Sequence, residues 1–114
     1  MVKCVILTGI PASIFPEGSS WTLHVRTMSF GEFVERLKLC DAIENYNRHE
    51  PTNKLLEKYG VRYDRGTEYK LQPGDTSVIY VIGLKRRAPA GATDVHVSEE
   101  DLLVLHVVAR PGPA

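Results

Sequence analysis

The segment Asn47-Arg48-His49-Glu50-Pro51-Thr52-Asn53-Lys54-Leu55-Leu56-Glu57-Lys58-Tyr59-Gly60 sets an imidazole and a guanidinium at the start of a short helix. An imidazole exchanges its proton near neutral pH, and a guanidinium forks onto phosphate or carboxylate oxygens without losing its charge. Pro51 is predicted as the first helical residue, since its fixed φ suits a helix start and its missing N–H has no intrahelical partner there. Gly60 is predicted to close the helix in the left-handed conformation. Glu50 then falls at the cap, where glutamate is a poor choice, so the Thr52 and Asn53 N–H groups are expected to lack a side-chain partner. Unpartnered N–H groups at the positive end of the helix dipole, beside Arg48 and His49, suit a phosphate.

A second cationic group, Lys85-Arg86-Arg87, follows the apolar, β-branched run from Ser77 to Leu84, and Pro89 and Gly91 put it in or beside a loop. Ligands commonly bind beyond strand ends in sheets flanked by helices, so the two patches are expected to converge. The sequence holds no paired-carboxylate signature, no phosphate-cradling Gly-rich loop, no Ser/His/Asp order, and no metal spacing among His24, His49, His96 and His106. Histidine with arginine and no metal suits cleavage of an RNA phosphodiester by its own 2′-hydroxyl. The arginine would offset charge building on the phosphoryl oxygens, and the histidinium would protonate the departing 5′-oxygen.

These groups need a scaffold, and 114 residues suffice for one domain that buries about two-thirds of its unfolded surface. Residues 1–110 are expected to form it, with 111–114 as a frayed tail. Fourteen Lys and Arg balance fourteen Asp and Glu, which argues against a partner bound by coating long nucleic acid. Cys4 and Cys40 lie far apart without CxxC pairing and are expected as reduced thiols in a cytoplasmic compartment. No long apolar stretch suggests a membrane span or a signal segment.

Taken in order, Val2 to Leu7 is apolar on both faces except Lys3, as in a central strand. Trp21, Leu23 and Val25 alternate with Thr22, His24 and Arg26, which predicts a strand with one wet face and a solvated His24. Ser29 as N-cap, Glu32 as its capping-box partner, and Met28 against Phe33 as a staple start a helix over 30–39. Ile43 to Tyr46 is an extended return toward Arg48 and His49. Val61 and Tyr63, with Tyr69 and Leu71, are expected to flank a hairpin turn at Asp64-Arg65-Gly66, and Pro73-Gly74-Asp75 is a further turn. Ser77 to Leu84 and Leu102 to Val108 are buried strands, with His106 a partly buried structural residue. The fold class is α+β, a mixed sheet with both helices on one face. The other face, apolar along the Trp21 and Ser77 strands, is expected to join two copies into a symmetric dimer.

Over nearly its whole length the chain resembles the small viral anti-CRISPR ring nucleases and their bacterial relatives, which degrade cyclic tetra-adenylate, the second messenger of type III CRISPR systems. The resemblance runs through Val5-Ile6-Leu7-Thr8-Gly9, Ser13-Ile14-Phe15, Trp21-Thr22-Leu23-His24-Val25 and the Ser29-capped helix. Its most specific parts are His49-Glu50-Pro51-Thr52 with Leu55-Leu56 and Gly60, then Pro73-Gly74-Asp75, then Leu84-Lys85-Arg86-Arg87-Ala88-Pro89-Ala90-Gly91. It implies a homodimer that binds one ring across its two-fold axis and cuts it without metal or cofactor to linear di-adenylate ending in a 2′,3′-cyclic phosphate. The family's general-acid histidine falls on His49 and its phosphate-stabilising arginine on Arg87. Substrate contacts fall on Thr8, Gly9, Arg48, Thr52, Asn53, Lys85 and Arg86.

The chain departs from the family at three points. Arg48 stands where glycine usually precedes the histidine, and Ala90 where the viral branch has a glutamate, with Glu50 as the adjacent replacement candidate. The Asp75 to Arg87 stretch is about two residues longer than in the family, which leaves Arg86 and Arg87 as alternatives for the functional cation. The other function class compatible with these residues is a sensor or sponge that binds cyclic oligoadenylate without cutting it.

Overall fold

The computed structural model describes residues 2–62, 69–72, 77–85 and 98–112. The strands are β1 (Lys3–Leu7), β2 (Trp21–Ser29), β3 (Ala42–Asn45), β4 (Val78–Leu84) and β5 (Leu102–Pro111), and the helices are α1 (Phe30–Leu37) and α2 (Glu50–Glu57). They form an α+β domain around one mixed sheet in the order β2-β5-β4-β1-β3. β1 runs parallel to both β3 and β4, whereas β5 is antiparallel to β4 and β2. The expected central strands are central, because a strand apolar on both faces can be covered only from both sides.

Side-chain alternation sorts the apolar residues onto two faces. On one, Phe30, Phe33 and Leu37 of α1 and Leu55 and Leu56 of α2 pack over Cys4, Ile6, Tyr80, Ile82, Leu102 and Val104. Both helices therefore lie on the same face. α1 starts as expected, with the Ser29 hydroxyl accepting the Glu32 N–H at 3.1 Å and Met28 and Phe33 buried in one cluster. It ends at Leu37, two residues before the expected end. α2 closes at Gly60 with φ +80°, and Val61 N–H bonds back to Leu56 C=O at 3.1 Å, the pairing of a Schellman end.

The opposite face is less open than expected. Val5, Leu7, Ile79, Val81, Val107 and Ala109 are covered by the chain itself, through Ile14 with Ile10 and Phe15, and through Tyr69 and Leu71. The Leu71 N–H donates to Ile14 C=O at 2.8 Å, tying the two covering segments together. What remains open lies toward β2, where Val25 is 53% exposed and Leu23 and Leu105 are half-buried.

Three expectations are corrected. Cys4 and Cys40 are not separate thiols but a disulfide, with Cα atoms 5.9 Å apart and a separation of 36 positions in sequence. The chain brings the end of α1 onto β1, a proximity that spacing along the sequence does not show. Val61 and the pair Tyr69 and Leu71, expected in strands, are in none and sit in cores on opposite faces; the rest of the expected hairpin, Tyr63 and the turn at 64–66, and the turn at 73–75 lie outside the described residues. The tail begins later than expected, since Pro111 pairs with Trp21 and Gly112 N–H reaches Ser20 C=O.

Candidate functional site

Because β1, β3 and β4 run parallel, their carboxyl ends open on one end of the sheet. Thr8 and Gly9 leave β1 there, Tyr46 to His49 leave β3, and Lys85 leaves β4. The Tyr46 N–H still pairs with Ile6 C=O at 2.8 Å, and the Arg48 N–H donates to Thr8 Oγ1 at 2.8 Å, so the exits of β3 and β1 are sewn together.

Between them is a cleft of about 170 Å³ lined by Leu7, Thr8, Gly9, Ser13, Tyr46, Arg48 and Tyr69 among others. Its lining mixes apolar residues with Thr8, Ser13 and Arg48, and the Tyr46 and Tyr69 rings tilt against each other at 5.6 Å. Aromatic rings can stack on bases, and hydroxyl and guanidinium groups can bond to phosphate oxygens, so these residue types are able to hold an anion with a planar group attached. Thr8, Gly9 and Arg48 were legible in the sequence. Ser13, Tyr46 and Tyr69 were not singled out, because nothing local marks a loop serine or strand-end tyrosine as a cleft wall.

His49 does not line this cleft; it is the next residue and starts α2. The helix begins one residue earlier than expected, so His49, not Glu50, is the N-cap and Pro51 is the second helical residue. The Asn53 N–H, expected to be free for a ligand, is spent inside the helix on His49 C=O at 3.0 Å. The His49 side chain does not cap the backbone. Its Nδ1 lies 2.8 Å from Thr52 Oγ1, and Thr52 is only 2% exposed. A hydroxyl both donates and accepts, so Thr52 can serve the neutral ring or the imidazolium by rotating its proton. Nε2 is then the ring nitrogen left for a ligand.

Three asparagines hold the turn beneath His49. Asn45 Nδ2 donates to Asn53 Oδ1 at 3.0 Å, Asn53 Nδ2 donates to Asn47 C=O at 2.8 Å, and Asn45 Oδ1 accepts the Asn47 N–H at 2.9 Å. Asn47 Oδ1 accepts the His49 N–H at 2.8 Å. Asn45 and Asn47 are fully buried, and among the described residues Asn47 Nδ2 has no partner. A buried donor without a partner costs about 1–3 kcal/mol. Asn53 and Thr52 thus brace the site from within.

Lys85 is exposed, and its N–H donates to Asp101 C=O at 2.9 Å. β4 last pairs with β1 at Val81, so Lys85 stands roughly 13 Å further along the strand direction, outside the cleft lining. Arg86, Arg87 and Ala90 lie outside the described residues. His24 is exposed, as expected, and His106 is half-buried with its ring edge-on to Tyr80 at 5.4 Å. Burial first, then the charges of Arg36 and Arg26, lower the His106 pKa from its ordinary 6.5. Burial pushes the Tyr80 phenol up. Among the described residues no group of three or more His, Cys, Asp or Glu side chains could hold a metal ion, and no helix is long and apolar enough to cross a membrane.

No known family model and no curated protein matches the sequence. Among solved structures, the fold is similar to that of B116 of Sulfolobus turreted icosahedral virus, with a TM-score of 0.65 and 16% sequence identity over 93% of this chain and 98% of that one. At that identity the likeness defines the fold: this chain and a viral protein share one α+β architecture end to end.

Proposed function

We propose that the protein is a metal-independent ring nuclease that binds cyclic tetra-adenylate and cuts it to linear di-adenylate with a 2′,3′-cyclic phosphate. In this reading it switches off type III CRISPR signalling, in the host cell if the gene is viral; the Cys4–Cys40 disulfide removes the argument from reduced thiols for a cytoplasmic compartment. The proposal is carried by the cleft of Thr8, Gly9 and Arg48 at the carboxyl ends of three parallel strands, together with His49, the next residue along the chain, whose Nδ1 lies 2.8 Å from Thr52 Oγ1. His49 serves as general acid through Nε2, a contribution of roughly a hundred- to ten-thousand-fold in rate. Arg87 or Arg86 offsets charge on the phosphoryl oxygens. Fold likeness to a viral protein agrees with the resemblance seen in the sequence.

The active form in this reading is a symmetric dimer, joined through the strip that the chain leaves open around Leu23, Val25 and Leu105. A monomeric mass across a wide concentration range removes that part. A second reading, a binder that sequesters the messenger without cutting it, is favoured by one observation: the partner of His49 Nδ1 is a neutral hydroxyl and not a carboxylate.

Purified protein incubated with cyclic tetra-adenylate and EDTA separates the readings. Product supports the nuclease, retained intact ring the binder, and no complex neither. Arg87→Ala is expected to weaken both binding and rate; an unaffected variant transfers the role to Arg86.

A further inference from the structure

Within the asparagine clamp, Asn45 and Asn53 each use both ends of their amides, so folding of the turn accounts for them fully. Asn47 is different. It is 0% exposed, and its amide makes a single bond, from Oδ1 to the His49 N–H, while Nδ2 is left without a partner among the described residues. An apolar side chain of similar volume would fill the same space without an orphan donor. The one thing such a side chain could not supply is the acceptor on the His49 N–H. That bond fixes the backbone of the α2 N-cap, and Thr52 fixes the ring from the other side. His49 is therefore anchored twice, from residues two before and three after it, on a helix start that gains no side-chain cap in return.

We propose that Asn47 is a positioning residue: by holding the His49 N–H it sets the N-cap backbone so that the imidazole, braced on Thr52, presents Nε2 to the scissile phosphodiester. The consequence for turnover rests on the ring-nuclease reading; the geometry does not. Preorganisation of a reacting group is what such bracing supplies, and a misplacement of about 1 Å can cost on the order of a hundredfold in rate.

The test compares the full-length protein with Asn47→Leu and Asn47→Asp, by ring-nitrogen NMR of His49 and by cleavage of cyclic tetra-adenylate. Asn47→Leu is expected to shift and broaden the His49 ring signals without ligand, and to lower kcat roughly ten- to a hundredfold while KM stays within about threefold. Asn47→Asp keeps the acceptor, so it should restore the ordered ring signals and bring kcat back toward the wild-type value. If Asn47→Leu does not fold, Asn47→Ala is compared with Asn47→Asp by the same ring signals: broadened signals in Asn47→Ala beside ordered ones in Asn47→Asp support the role, and equally ordered signals in both overturn it. Unchanged ring signals in Asn47→Leu, or an Asn47→Asp variant as disordered at His49 as Asn47→Leu, overturns the proposal. Wild-type protein that cuts nothing overturns the nuclease reading alone, because the NMR comparison still decides the role of Asn47.

Discussion

At the start of α1 the Ser29 hydroxyl accepts the Glu32 N–H at 3.1 Å, whereas at the start of α2 the His49 side chain leaves the helix N–H groups alone and turns to Thr52 at 2.8 Å. The two helices are equally short, eight residues each, and lie on the same sheet face. α1 is secured at both ends, by Ser29 and by the disulfide through Cys40 just after it. α2 is secured by Gly60 at its end and by buried amides at its beginning. The difference teaches that the α2 start is arranged to hold an imidazole in place at the expense of a capping bond, a pattern found where a site and local stability compete.

The sharpest break of this comparison is His49→Asp. Aspartate can cap the Thr52 N–H and favours the helix dipole, so unfolding free energy measured in urea should rise by about 1 kcal/mol. Turnover of cyclic tetra-adenylate should fall roughly a hundred- to ten-thousand-fold. A variant that loses stability along with activity would mean that His49 is a structural cap after all. Next in size, replacing Cys4 and Cys40 together by alanine opens a loop of 36 residues and should cost about 4 kcal/mol of stability. It should leave ligand affinity within a few-fold, because both cysteines lie at the end of β1 away from Thr8.

Ser29→Ala should cost about 1 kcal/mol and leave cleavage unchanged, since α1 reaches no part of the cleft. The smallest effect belongs to His106, whose pKa burial, Arg36 of α1 and Arg26 together depress. A depressed histidine is protonated more readily in the unfolded chain, so its contribution to stability is complete above pH 6.5 and declines as the pH falls through 6.5 toward the folded value. His106→Gln should flatten the acid side of a melting-temperature profile over that window.

Legibility of the fold followed how local each cause is. The Ser29 cap, the Met28 and Phe33 staple and the positive φ of Gly60 depend on neighbours within a turn, and they could be seen directly in the residue order. The α2 cap was displaced by one residue because Pro51 suits the second helical position nearly as well as the first. The asparagines at 45, 47 and 53 look like loop residues in a sequence; only a fold that buries them turns them into a clamp. The apolar strands facing away from the helices suggested a partner surface, yet Ile14, Tyr69 and Leu71 of the same chain cover most of it.

By itself the sequence determined, to within a few residues, both helices and the strands of the sheet, which of those strands are central, and that an imidazole and a guanidinium stand side by side before Pro51. Those outcomes follow from periodicity and from short-range backbone chemistry. Tertiary structure alone decided that Cys4 meets Cys40, that Thr8 and Arg48 share a cleft with Tyr46 and Tyr69, and that Arg48 lines that cleft while His49 does not. The reason is physical: parallel pairing of β1 with β3 joins residues about forty positions apart, and which atoms then remain free depends on every neighbour that the fold supplies.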